Sequence, residues 1–167
     1  TVMDRNTGRL LRELEEDGLA DNTIVFFYTD HGTGMPRGKR MLHDSGMRVA
    51  LMARFPRRYQ HLAPSLPGTV NDELVSFVDF PCTVLNLAGL AKPDYMQGRS
   101  FLGRERDPKR EYVYGCRDRV DEVFECARSL RSEKYLYIRN YHPHLSHNQP
   151  SVFSDLGRTR QEITRLA

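Results

Sequence analysis

The chain has 167 residues, 39% of them apolar, with a formal net charge of +3 that is spread rather than gathered into a basic tract. That is enough chain for one substantial core, and the mild positive excess would suit an anionic substrate, although ordinary surface arginine gives as much; no nucleic-acid partner is expected. No apolar run approaches the roughly 20 residues of a membrane span, and three cysteines without metal-ligand spacing read as buried free thiols that leave the redox compartment open.

Met3, Leu10, Leu11 and Leu14 set an apolar stripe at helical spacing, stopped by Asp17-Gly18. A β-branched and aromatic run from Thr23 to Thr29 follows at once and reads as a buried strand, so helix and strand form an α/β crossover element. Val49 to Phe55 is a second apolar strand closed by Pro56. Tyr59 to Asp72, with Pro64, Pro67 and Gly68, is a surface loop. Asp79 near an N-cap, Pro81 in the first turn and Gly89 past the end bound a helix. Lys92 to Lys109 is polar and turn-rich, and Glu111 to Cys116 is a strand. Val123 to Leu130 and Tyr135 to Tyr141 flank Arg131-Ser132-Glu133-Lys134 as a hairpin. Arg158 to Leu166 is a polar helix.

The chemistry gathers after the first strand, which stops at Asp30-His31-Gly32. In open α/β sheets ligands sit beyond the carboxyl ends of the strands. A carboxylate and a neutral imidazole side by side can both aim a lone pair at one divalent cation, and Gly32 lets the backbone turn sharply away. The ordinary alternative is an aspartate that caps the loop and a histidine bonded locally. Oxygen ligands suit calcium whereas imidazole is commoner on zinc, iron or manganese, so the ligand types leave the metal open. Lys39 comes eight residues after His31, inside Pro36-Arg37-Gly38-Lys39-Arg40. A cation beside concentrated positive charge is what a tetrahedral oxyanion requires, although a solvated lysine in a basic loop has the same sequence.

These segments, in this order, resemble the sulfatases of the alkaline-phosphatase superfamily. Asp21-Asn22-Thr23-Ile24-Val25, Asp30-His31-Gly32, Gly38-Lys39 and Ser45-Gly46-Met47-Arg48-Val49 are similar to successive motifs of that family. The helix Leu74 to Leu85 and the segment Asp94 to Leu102 continue the match, and bacterial sulfatases resembling the heparan N-sulfatase group are the nearest in pattern. The resemblance implies an α/β fold, mostly a parallel or mixed sheet flanked by helices, with a small antiparallel C-terminal subdomain. Residues 1–110 would be the C-terminal part of the catalytic domain, and 111–167 the antiparallel subdomain with its terminal helix. The implied activity is hydrolysis of a sulfate ester or sulfamate, on a sulfated small molecule or glycan, in a periplasmic or secreted protein. Asp30 and His31 would be metal ligands, the metal calcium, and Lys39 a sulfate-contacting catalytic residue. Arg48 would form a structural ion pair near the site.

One departure matters as much as the match. The family's nucleophile lies in a Cys-x-Pro-x-Arg or Ser-x-Pro-x-Arg motif whose first residue becomes formylglycine, and Cys82, Cys116 and Cys126 are followed two residues on by Val84, Asp118 and Arg128. The chain therefore reads as the C-terminal part of a sulfatase, inactive alone and holding half of an active site. His43-Asp44-Ser45 also stands where many relatives carry Tyr-Glu-Gly. A phosphodiesterase or phosphonate monoester hydrolase of the same superfamily, or a non-catalytic anion- or glycan-binding module, would share these residues. Two further clusters lie at ends of expected strands: Arg117-Asp118-Arg119-Val120-Asp121-Glu122, and the histidines His142, His144 and His147. Pro143 and the turn residues between the histidines favour a flexible polar loop over a second metal site. By the resemblance, Arg119, His142 and His144 are candidates for sugar or carboxylate contacts.

Overall fold

A computed structural model describes residues 1–120, 122–146 and 149–166. In chain order these form α1 (Val2–Glu16), β1 (Val25–Tyr28), α2 (Asp44–Met47), β2 (Leu51–Arg54), α3 (Asp79–Leu87), β3 (Val113–Val120), β4 (Val123–Arg131), β5 (Leu136–Asn140), α4 (Val152–Asp155) and α5 (Arg158–Leu166). Helix and sheet are mixed: β1 pairs with β2, and β3, β4 and β5 form an antiparallel three-stranded sheet. The chain divides into two compact units, residues 1–27 with 52–109 and residues 28–51 with 110–167.

In the first unit the Thr1 hydroxyl accepts from Asp4 N–H at 3.2 Å and caps α1. Gly18 then takes φ 69°, and the Gly18 and Leu19 amides return to Glu15 O and Leu14 O, ending the helix where Asp17-Gly18 is expected to end it. Phe26, Phe77, Phe80 and Phe101 pack ring against ring, with centroids 5.4–6.2 Å apart along the chain of contacts. Under them sits a polar centre. Asp79 is 1% exposed, opens α3 with Val78 as the N-cap, and accepts from Ser76 N–H and Arg99 N–H, both at 2.8 Å. Its side chain thus binds loops on both sides of the helix instead of capping it. Thr83 Oγ1 takes the Phe101 amide at 3.1 Å, and Asn86 Nδ2 donates to Leu102 O at 2.8 Å. The turn-rich stretch 92–109 is therefore ordered by side chains of α3, because it makes no sheet of its own to satisfy its backbone.

The second unit has a different centre. β3 and β4 form a hairpin whose register shifts between Arg117 and Arg119. β3 is longer than the expected Glu111–Cys116 strand, and the hairpin of β4 and β5 forms with Ser132 N–H donating to Tyr135 O. The buried positions of this sheet include Arg117, Glu125, Ala127 and Ser129, with Arg117 paired to Glu125 at 2.9 Å. Buried charges persist only when paired. Of the cysteines, Cys82 is buried as expected, whereas Cys126 is half-buried and Cys116 exposed, so the reading of three buried thiols is corrected; all three are free. Cys116 lies on a sheet strand whose alternation turns it away from the buried Arg117.

Candidate active site

The segment between β1 and β2 folds into one hydrogen-bonded loop. Thr29 N–H donates to Ala50 O at 3.3 Å and closes its base; Gly32 N–H donates to Gly46 O at 2.9 Å one step further out. At this waist the backbones nearly touch. A Cβ on Gly32 would stand 1.9 Å from Ser45 O, and one on Gly46 would stand 2.3 Å from both Gly38 O and Met41 O. Only glycine fits at either position. Beyond the waist, Lys39 N–H reaches back to Thr33 O at 2.7 Å, which fixes residue 39 beside the turn that follows Asp30 and His31. Arg37 and Arg40 hold φ of 65° and 74°, a left-handed backbone that costs a non-glycine residue on the order of 1 kcal/mol. The Ser45 hydroxyl donates to Arg37 O at 2.5 Å and braces the first of them.

On this frame Asp30 and His31 stand together. Asp30 Oδ1 lies 3.6 Å from His31 Nε2, with the carboxylate side chain 86% exposed. His31 Nδ1 is 2.6 Å from Gly32 O. With its proton on Nδ1 the ring donates to that carbonyl, and the Nε2 lone pair stays available on the side of the carboxylate. Metal-binding histidines are ordinarily oriented by such a second hydrogen bond. Two donors 3.6 Å apart can also share one cation at contacts of about 2.4 Å. The pair fits two ligands of a divalent cation. Among the described residues no group of three or more His, Cys, Asp or Glu gathers that could hold a metal.

Lys39 is half-buried, and its ammonium lies 4.8 Å from the centroid of Phe153 in α4. Among the described residues it forms no ion pair with Asp30. The Arg40 guanidinium approaches the same ring at 4.7 Å, and Arg40 Nη1 donates to Ser151 Oγ at 2.9 Å. Arg48 is exposed at the C-cap of α2; the ion pair that forms there joins Asp44 to Arg131 of β4 at 3.1 Å. Met47 Sδ contacts the Ser129 hydroxyl and Met41 Sδ contacts Arg117, so the loop is laid against the buried face of the β3–β5 sheet.

The second candidate group is gathered around a residue that the sequence did not single out. Arg119 is exposed on β3 with Phe124 as its Cα partner on β4. The His142 ring stacks on Phe124 at 5.1 Å, and His144 meets His142 edge-on at 5.8 Å. His142 N–H donates to Asn140 Oδ1, which turns the chain at the end of β5. Neighbouring Asp118 pairs with Arg128 at 2.7 Å and raises the guanidinium's pKa. Asp121 and His147 lie outside the described residues. Phe124 and Phe153 carry no local signal of function. Phe153 follows a Ser151 N-cap in a polar tail, and nothing within a few residues ties it to Lys39.

The sulfatase family model matches residues 1–90, more than half of the chain, including the whole of the loop that holds Asp30, His31 and Lys39. The chain belongs to the sulfatase family. It is 39% identical over 164 residues to an ulvan-active sulfatase of Formosa agariphila, covering 98% of this chain and 26% of that protein. It is 27% identical over 150 residues to the human N-sulphoglucosamine sulphohydrolase, covering 84% of this chain and 28% of that protein. A solved structure, of a protein in complex with its substrate D-glucosamine-2-N,6-O-disulfate, superposes with a TM-score of 0.62 at 24% identity. It covers 84% of this chain and 30% of the other, and shows a shared fold. The chain spans between a quarter and a third of the length of these relatives.

Proposed function

We propose that the chain is the C-terminal part of a hydrolase for sulfate esters or sulfamates of sugars, to which it contributes half of the metal and sulfate site. The observation that carries this reading is the loop itself: an Asp30–His31 pair of donors and the Lys39 backbone, braced together by glycine contacts, inside the stretch matched by the family model. The names of the relatives support a sulfated glycan as substrate, and the sugar of the superposed complex carries both an N-sulfate and an O-sulfate. In the longer protein β1 and β2 would belong to a parallel or mixed sheet flanked by helices, residues 1–110 to the catalytic domain, and residues 111–167 to an antiparallel subdomain. A periplasmic or secreted location fits such a substrate; no described helix is long and apolar enough to cross a membrane.

Asp30 and His31 would hold a divalent cation, most plainly calcium given the family. Bound there, the cation would draw charge from the sulfate oxygens, and a formylglycine supplied from the rest of the protein would be the nucleophile. This chain's residues do the rest. With the proton on Nδ1 and donated to Gly32 O, His31 would offer its Nε2 lone pair to the cation. Lys39 offers a compact charge with three donors to the oxygen on which charge grows as the sulfur–oxygen bond breaks. Arg119, His142 and His144 would meet the sugar or its carboxylate beside the Phe124 ring.

The test uses the longer protein and an aryl sulfate. Asp30→Asn weakens cation binding, so excess calcium restores part of the activity. Lys39→Ala leaves cation affinity intact but lowers kcat by about 10²–10³, the cost of one preorganised donor, and calcium does not rescue it. Lys39→Arg rescues only in part, since a planar fork replaces a point charge poorly. Wild-type kcat in Lys39→Ala, or its rescue by calcium, sinks the assignment. The 167-residue chain alone should hydrolyse the aryl sulfate no faster than buffer; turnover abolished by Asp30→Ala would place the nucleophile within it.

A further inference from the structure

We propose that Phe153 is a positioning residue for Lys39: its ring holds the ammonium at a fixed place over the loop while leaving the charge free for an oxyanion. The inference rests on the reading of Lys39 as the sulfate-contacting cation. The Lys39 ammonium and the Arg40 guanidinium lie 4.8 and 4.7 Å from the same ring centroid, inside the roughly 6 Å over which a ring quadrupole attracts a cation. Consecutive residues of like charge would otherwise swing apart. A lysine on a four-carbon stem samples many rotamers unless something holds its end.

Both partners of the contact are themselves fixed. On the ring side, Ser151 is buried, and its hydroxyl takes Arg40 Nη1–H at 2.9 Å and Ser154 N–H at 3.4 Å. Ser151 N–H donates to Asp155 Oδ2 at 3.0 Å, and Arg160 ties Asp155 Oδ1 to Gln149 O. Phe153 is 52% exposed but stands on this anchored turn. On the loop side, Gly38-Lys39 lies between the two left-handed arginines, a strained backbone that persists only where its surroundings over-determine it. The choice of an aromatic partner has a chemical reason. A carboxylate would neutralise the ammonium and occupy its protons, whereas a ring attracts the cation through its face and leaves N–H donors for sulfate oxygens.

Two measurements test this. In the chain itself, NMR should place the Lys39 ε-methylene protons upfield of those of Lys92 and Lys109 through the ring current of Phe153. Phe153→Leu, which keeps apolar bulk at a half-exposed position, should return them to the ordinary lysine position. Lys39 resonances that coincide with the other lysines in the unmodified chain overturn the proposal without any variant. In the longer protein, with an aryl sulfate as probe, Phe153→Leu should lower kcat about three- to thirtyfold, the range of one cation–π contact, with KM within about twofold. Phe153→Tyr should restore it. Unchanged kcat in Phe153→Leu, or no recovery in Phe153→Tyr, overturns the positioning role. Unchanged kcat in Lys39→Ala with the ring-current shift intact instead removes the sulfate role of Lys39, so the two failures are told apart.

Discussion

Asp79 and Asp30 show two uses of one side chain. Asp79 is 1% exposed and both carboxylate oxygens receive backbone amides, from Ser76 and Arg99. Asp30 is 86% exposed at its side chain, and its neighbour is the imidazole of His31 at 3.6 Å, too far for a hydrogen bond. The first has spent its lone pairs on folding; the second keeps them. The surroundings differ in the same sense. Glycines that tolerate no Cβ stand near both, Gly98 against Val78 O and Gly32 against Ser45 O. Among the described residues, however, left-handed non-glycine backbone occurs only in the loop of Asp30, at Arg37 and Arg40, while aromatic rings pack around Asp79. A buried acid that holds backbone amides organises the chain, whereas an exposed acid on a braced loop has the lone pairs that the proposed ligand role requires.

The contrast can be broken most directly at Asp79. Asp79→Ala leaves the Ser76 and Arg99 amides, both part-buried, without their acceptor and should cost about 2 kcal/mol, read as a lower urea midpoint. A midpoint unchanged by this substitution would erase the distinction. Next in size, Gly46→Ala forces a methyl against Gly38 O and Met41 O and should cost about 2 kcal/mol. Hydrogen exchange should then quicken at the Gly32 and Lys39 amides while those of Arg99 and Phe101 stay protected, since these last are held by α3.

Asp107 supplies a smaller effect with a sign. The Ser100 amide, above all, and then Lys92 hold its carboxyl below the ordinary range, against the opposing pull of burial. Folding therefore favours the charged form. Its contribution is complete above the unfolded value near 4 and is lost as pH falls through the lower folded value. Asp107→Asn should lower the urea midpoint at pH 6, and the gap to the unmodified chain should narrow below about pH 4. A gap that widens on acidification would reverse the assignment. Smallest of all, Asp30→Ala should move the midpoint by no more than about 0.5 kcal/mol. A loss comparable to that of Asp79→Ala would mean that Asp30 is a structural residue.

Much of the fold was legible because its signals are local. The stripe of α1, its Asp17-Gly18 stop, the two apolar strands and the β4–β5 hairpin follow from periodicity and turn chemistry within a dozen residues, although the first strand, read as buried, is half-buried with Tyr28 exposed. The Asp30-His31-Gly32 and Gly38-Lys39 pattern was equally local. Hidden were the hairpin of β3 with β4, the buried Arg117–Glu125 pair and the exposure of Cys116, because burial on a sheet face depends on which neighbour covers it. Asp79 was legible as a helix start, but its partner Arg99 was not.

By itself, the sequence determined the family and the residue types of the loop: a carboxylate, an imidazole and a lysine in a spacing set by covalent order. Tertiary structure alone decided how those residues are held. Gly32 meets Gly46 across the loop, and Lys39 meets Phe153 from more than a hundred residues away. The reason is physical. Ligand chemistry resides in individual side chains and survives in any fold, whereas distance and exposure come from packing between segments that one stretch of sequence does not contain.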